Sequence, residues 1–283
     1  MVENIIISNL TKLGSVKSAI KAAGTEKFHV LSDFDRTLTK SIVNGEEVPS
    51  IISVLRNEGY LTPDYPDQAK ELFNHYHAIE IDSAVPYSEK KAAMKEWWSK
   101  HFDLLIASGL SKRDIEKAVT SQKLQLREGA GQFLELLRQR NIPLVIMSSA
   151  GLGTESISLY LKRQNLLTEN IHIVSNEFIW DDNGKAAAVK DPIIHAFNKD
   201  EAVLDEFPFY GQVKERKNVL LLGDGADDVE MITGFAYDNL VKVGFLNKNI
   251  EESLSLYKEK FDVVITGDGD FEFINDLLME LFQ

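Results

Sequence analysis

The sequence predicts an α/β fold, a doubly wound, Rossmann-like, mostly parallel sheet with a helical cap inserted near its amino-terminal end. Three observations carry this expectation. Short apolar runs alternate with segments whose apolar residues recur at helical spacing, the rhythm of βα units feeding a parallel sheet. That rhythm stops between residues 45 and 126, where helix formers dominate. A chain of 283 residues with 44% hydrophobic content is long enough for a core domain and a smaller insertion.

In chain order, the first β-like run is 28–32, with Phe28, Val30 and Leu31. The insertion opens at the turn pair Asn44-Gly45, and Pro63 and Pro66 mark later turns. Within it Met94, Trp97, Trp98, Phe102 and Leu105 trace an apolar helical stripe, and Ser111 with Asp114 gives a capping signal. The stretch 127–131 is the return point, so the expected division is a core of 1–44 and 127–283 around a cap of 45–126. A helix at 131–140 then leads into a strand at 143–148, and a helix at 154–165 into a strand at 171–175. The sequence Asp181-Asp182-Asn183-Gly184 lacks the acidic spacing of a calcium loop and reads as a hairpin turn. Strands at 218–222, 241–245 and 262–266 follow, with helices at 227–234, 250–258 and 271–282. Asp270 is placed to cap the last of these.

Composition removes several classes of function. There are no cysteines, which excludes disulfides, a thiolate metal site and a cysteine nucleophile, and suits a cytoplasmic location. No stretch approaches the ~20 apolar residues of a membrane-spanning helix, and no basic region leads into an apolar one at the start. A formal net charge of -13 without a long basic run argues against a nucleic-acid polymer as partner. A small phosphate ester remains open, provided that a cation offsets the acidity. A monomer is expected.

The strongest chemical signal is Asp33-Phe34-Asp35, directly after the first apolar run. Residues two apart in extended chain share a face, so both carboxylates can turn toward one ligand while Phe34 packs. Converging carboxylates repel unless a cation or a proton relieves them, which suggests metal binding or acid–base work; a solvated turn is the alternative. A second apolar run ends in Gly223-Asp224-Gly225, with Asp227 and Asp228 following. Glycine lets the chain turn sharply and presents Asp224 at the strand tip, whereas helix capping alone could account for Asp227 and Asp228. Between these two, Leu144 to Met147 runs into Ser148-Ser149-Ala150-Gly151, where a hydroxyl and the next amides can hold a phosphoryl oxygen. Lys190 is taken up because of this company; an isolated lysine is usually a surface charge. His75 and His77, two apart on a helix, point apart and are set aside as a metal pair.

The order of strand with Asp-x-Asp, strand with Ser, Lys, and strand with Asp and a second Asp four later resembles the four motifs of the haloacid dehalogenase superfamily. Longer stretches resemble the cytosolic pyrimidine 5′-nucleotidase family: Ala78 to Asp82, Glu96-Trp97, Lys190 with Ile194 to Lys199, and Leu221 to Asp224. Arg36 stands where that pattern has an uncharged residue, and Lys190 is followed by Asp191-Pro192 rather than glycine.

The resemblance implies a Mg²⁺-dependent phosphomonoester hydrolase. Asp33 would be the nucleophile that forms an aspartyl-phosphate, and Asp35 the acid that protonates the leaving oxygen and later the base for water. Asp33, Asp224 and the backbone carbonyl of Asp35 would hold the metal, supported by Asp228. Ser149, Ala150, Gly151 and Lys190 would bind the phosphoryl oxygens. The implied substrate is a pyrimidine nucleoside 5′-monophosphate such as CMP or UMP. Glu80 and Trp97 would read its base or ribose, with packing inside the cap as the alternative for Trp97. Other readings are a phosphatase for phosphoserine or a sugar phosphate, and a non-catalytic phospho-ligand-binding module.

Overall fold

The computed structural model describes residues 4–48, 50–82, 84–121, 123–199, 204, 207–234 and 236–282. The chain opens with β1 (Ile5–Ile7) and α1 (Leu10–Ala23). Asn9 caps that helix by accepting the Lys12 amide at 2.9 Å. Next come β2 (Phe28–Ser32) and the short hairpin β3 (Ile42–Val43) and β4 (Glu46–Glu47). The irregular stretch of the sequence is helical: α2 (Ile51–Asn57), α3 (Tyr65–Ile81), α4 (Tyr87–Ala107) and α5 (Lys112–Val119). At α5 the expected capping box is present, the Asp114 carboxylate accepting the Ser111 amide at 3.1 Å.

The remainder alternates, with α6 (Ala130–Gln139), β5 (Leu144–Met147), α7 (Gly153–Arg163), β6 (Ile171–Val174) and the hairpin β7 (Phe178–Trp180) and β8 (Ala186–Val189). Then follow α8 (Tyr210–Val213), β9 (Asn218–Gly223), a 3-10 helix (Ala226–Gly234), β10 (Asn239–Leu246), α9 (Ile250–Lys260), β11 (Val263–Thr266) and α10 (Glu272–Phe282). The hairpin turn read at Asp181 is there, its carboxylate accepting the Asn183 and Lys185 amides. The Asp270 carboxylate accepts the Glu272 amide at 2.9 Å, as its capping reading requires.

One seven-stranded sheet runs β1-β11-β10-β9-β2-β5-β6, parallel except for β1. Strands β2, β5, β9 and β11 are buried on both faces, which is why they read as continuous apolar runs. Val30, Ile146, Leu220, Val243 and Ile265 face a layer with Ile20, Phe133, Leu137, Ile157 and Leu277. Their neighbours Leu31, Val145, Leu221 and Val264 face the opposite layer, with Val213, Met231 and Tyr257. The result is a three-layer, doubly wound fold, as expected.

The hairpin β7–β8 lies outside 45–126 in sequence and is nevertheless bonded to these helices. The Ala186 amide donates to Leu110 O at 2.8 Å, the Lys112 amide to Gly184 O at 3.0 Å, and the Phe178 ring meets Phe102 edge-on. Among the described residues no helix is long and apolar enough to cross a membrane.

Candidate active site

The register of the central strands decides what meets at their carboxyl ends. Ser32 on β2 is level with Leu222 on β9 and with Ile146 on β5. Asp33, the residues after Gly223 and the Ser148 turn therefore leave the sheet side by side. The Asp33 amide still bonds to Leu222 O at 3.0 Å, so the carboxylate is fixed by the sheet itself. Asp33 and Asp35 both line one cavity of about 620 Å³, whereas Phe34 is buried against Tyr160.

One carboxylate oxygen from each of Asp33, Asp224 and Asp228 lies within 4.8 Å of the others. The Asp228 Oδ2 accepts the Asp224 amide at 3.0 Å and the Gly225 amide at 2.8 Å, which ties it to the turn after β9. This approach needs Gly223: a Cβ there would lie 2.4 Å from the Asp228 Cβ. Lys199 closes the cluster, its Nζ donating to Asp33 Oδ1 at 2.6 Å and to Asp228 Oδ1 at 2.7 Å. The Tyr257 hydroxyl donates to Asp224 O from α9.

Charge in this cluster is only partly offset. Burial, then the Asp228 and Asp224 carboxylates, raise the Asp33 carboxyl well above the usual range, against the pull of Lys199. Burial and Asp228 push Asp224 up to about 7. Burial also raises Asp35, opposed by Arg36 and Lys199, which favours the protonated form that an acid needs. For Lys199, burial acts to lower the pKa, and the two carboxylates outweigh it, so the ammonium stays charged. Hard oxygen donors with surplus negative charge suit Mg²⁺, and Asp33, Asp224 and Asp228 are the residues that could hold it.

The other walls come from three directions. Ser148, Ser149, Ala150 and Gly151 line the cavity after β5. The Ser148 hydroxyl accepts the Ala150 amide at 3.2 Å, and Ser149 is half-buried beside it. Helices α2, α3 and α4 roof the space with Ile52, Phe73, His77, Glu80, Ile81 and Trp98. They come so close that a Cβ at Gly151 would lie 2.4 Å from Ile52 and 2.7 Å from Trp98. Lys248 after β10 and Glu47 of β4 also line it, joined at 2.5 Å.

A family model described as pyrimidine 5′-nucleotidase (UMPH-1) matches residues 36–282. The chain belongs to that family. The 7-methylguanosine phosphate-specific 5′-nucleotidase of Rattus norvegicus is 32% identical, the alignment covering 100% of this chain and 94% of the relative. The Homo sapiens protein of that name is 31% identical, with 99% and 93% covered. Among solved structures, cytosolic 5′-nucleotidase IIIB (cN-IIIB) bound to cytidine gives a TM-score of 0.90 at 27% identity, covering 99% of this chain and 94% of that one. A phospho-aspartyl intermediate analogue of phosphoserine phosphatase gives a TM-score of 0.53 at 21% identity, covering 92% of this chain and 100% of that one, a likeness of fold. This member of the pyrimidine 5′-nucleotidase family is a phosphomonoester hydrolase.

Within this nucleotidase, the structure brings Asp33, Asp35, Ser149, Ala150, Gly151, Asp224, Asp228 and Glu80 to one cavity. It does not bring Lys190 there. That side chain is exposed and pairs with Glu177 at 2.5 Å, because the Lys190 amide is bonded to Glu177 O just beyond the β7–β8 hairpin. Lys199 reaches Asp33 instead. It stands at the end of a loop that two asparagines fold back: Asn176 accepts the Ile194 amide at 2.8 Å, and Asn198 accepts the His195 amide at 2.6 Å. The sequence signal for it was weak: Lys199 ends the mixed stretch Ile194-His195-Ala196-Phe197-Asn198, whose burial forces the charge to find partners. Trp97 is not a wall of the cavity either. About 100° per residue separates neighbours on a helix, so Trp98 faces the cavity and Trp97 turns into an apolar cluster with Tyr76, Met94 and Phe197.

Proposed function

We propose that the enzyme hydrolyses nucleoside 5′-monophosphates through an aspartyl-phosphate on Asp33. The observation that carries this reading is the meeting of Asp33, Asp224, Asp228 and Lys199 at the floor of a cavity that Asp35 also lines. An Asp33 oxygen attacks phosphorus as the bond to the 5′ oxygen breaks, and the Asp35 carboxyl gives its proton to that leaving oxygen. The nucleoside departs. Water then attacks the same phosphorus and passes a proton to Asp35, the bond to Asp33 breaks, and inorganic phosphate leaves with both aspartates regenerated. Lys199 and the amides and hydroxyl of the Ser149 to Gly151 turn hold the phosphoryl oxygens throughout. Mg²⁺ held by Asp33, Asp224 and Asp228, when bound, offsets the joint charge of carboxylates and phosphate.

Helices α2 to α5, with the β7–β8 hairpin, act as a cap that keeps bulk water from the intermediate. Trp98 offers its face to the base, and Glu80, held by His77 Nδ1 at 2.8 Å, offers a carboxylate beside it. CMP and UMP are the first substrates on this reading. A second one, 7-methylguanosine 5′-monophosphate, is favoured by the names of the full-length relatives and by the chemistry of the roof, since a cationic methylated base suits an aromatic face next to a carboxylate. Phosphate release from CMP, UMP, 7-methylguanosine monophosphate, GMP and phosphoserine, each with and without Mg²⁺, tests both levels. Metal-dependent release from the first three and little from GMP is expected; efficient cleavage of phosphoserine alone would remove the nucleotidase reading.

A further inference from the structure

Arg127 lies where the chain returns from the cap to the core, and its side chain is only 1% exposed. A buried guanidinium has five N–H donors to satisfy, and here each has a partner. Its Nε donates to Thr37 O at 2.9 Å, and Nη2 to Arg36 O and to Asn247 Oδ1 at 2.6 Å. Its Nη1 donates to Asp268 Oδ1 at 3.0 Å and to Gly269 O at 2.7 Å, and the group lies 4.2 Å above the Phe245 ring. One side chain thus joins the loops that follow β2, β10 and β11.

Two of those acceptors are the carbonyls of the residues directly after Asp35. Arg36 holds a φ of +59°, a conformation that persists only where the surroundings over-determine it. They do so here: Asn247 Nδ2 donates to the same Arg36 O at 3.2 Å. The Asp268 carboxylate reaches further along the segment, accepting the Ser41 and Ile42 amides at 2.7 and 3.1 Å. The Arg127 amide bonds to Leu38 O at 2.9 Å, so backbone and side chain grip one loop.

We propose that Arg127 is a positioning residue for Asp35, its planar fork fixing the peptide carbonyls after Asp35 and hence the direction from which that carboxyl meets the leaving oxygen. This rests on the reading of Asp35 as proton donor. A lysine ammonium cannot span the same acceptors, because its donors diverge from one point.

The test is Arg127→Lys, assayed in Mg²⁺ with CMP and with p-nitrophenyl phosphate, whose phenolate departs without a proton. With CMP, kcat falls by about 100-fold at an unchanged KM, and with p-nitrophenyl phosphate by less than about fivefold. Equal losses on the two substrates, the mark of a merely structural role, overturn the inference. Asp35→Asn is run alongside. If it is selective for CMP and Arg127→Lys is not, the inference alone fails; if Asp35→Asn itself loses both equally, the proton-donor reading fails and the inference with it. Should Arg127→Lys not fold, Asn247→Ala removes the second donor to Arg36 O and is read in the same way. A selective loss of about tenfold is expected from it, and an equal loss overturns the inference.

Discussion

The floor of the cavity is built mainly from backbone leaving the sheet at β2, β5 and β9, whereas its roof is built from side chains along α2, α3 and α4. On the floor, register and main-chain bonds fix the aspartates, as when the Asp33 amide stays bonded to Leu222 O. On the roof, aromatic rings stack on one another, Trp98 on Trp97 and on His101, so position depends on packing. The two regions should therefore fail differently: changes to the floor remove chemistry, and changes to the roof alter binding or the stability of the helices.

The sharpest separation is expected from Asp33→Asn, which on the proposed mechanism should lower kcat by on the order of 10⁴-fold or more, because an amide there would form no phosphoenzyme. Its folded structure should survive, as the change removes a charge from a crowded cluster. Phosphate release and thermal unfolding measured on one sample check both halves; retained turnover would refute the nucleophile.

Next in size is the contrast of two lysines. Lys199→Met should cost roughly 10²–10³-fold in kcat. It should also cost about 3–5 kcal/mol of stability, since Asp33 and Asp228 lose their buried counter-charge. Lys190→Met removes an exposed pair and should change stability by no more than about 1 kcal/mol. Steady-state kinetics with denaturant unfolding separates the two; comparable losses would mean that Lys190 reaches the floor after all.

On the roof, Trp98→Ala should raise KM by about tenfold with kcat little altered, as expected for lost base stacking. Trp97→Ala should instead lower stability by about 3–5 kcal/mol through the cavity it leaves among Tyr76, Met94 and Phe197. A KM effect from Trp97 larger than that from Trp98 would reverse the assignment of the two faces.

Protonation affects both regions. Burial lowers His29, on β2, and His101, on α4, to about 4 from an ordinary 6.5. At each of these two sites the unfolded chain binds more protons than the folded one between pH 6.5 and 4, so the site's contribution to stability is full above that window and is lost as pH falls through it, whereas the raised carboxyls of Asp33, Asp35 and Asp224 act in the opposite direction. The loss should approach about 3 kcal/mol for each histidine. Unfolding midpoints from pH 7 to 4 measure it, and His29→Gln or His101→Gln should flatten the slope by its own share.

How much of this was legible differs along the same line. Asp33, Asp224 and the Ser148-Ser149 turn were visible because each follows an apolar run, and a buried parallel strand announces its own end. Lys199 was not, since no strand carries it and Asn176, more than twenty residues away in sequence, folds its loop into place. Trp97 and Trp98 share one stripe in sequence, and only the packing of α3 against α4 distinguishes their faces. The antiparallel edge strand β1 is three residues long, too short for periodicity to reveal.

By itself, then, the order of apolar runs and acidic tips determined the parallel strands of the sheet, its helical interruption and the carboxylates of the floor, because a run of apolar residues ending in an acid is a local property. Which lysine meets Asp33, which tryptophan faces the cavity, and how Arg127 joins three loops were decided only by tertiary structure. These depend on distances between residues far apart in the chain, and no local pattern encodes them.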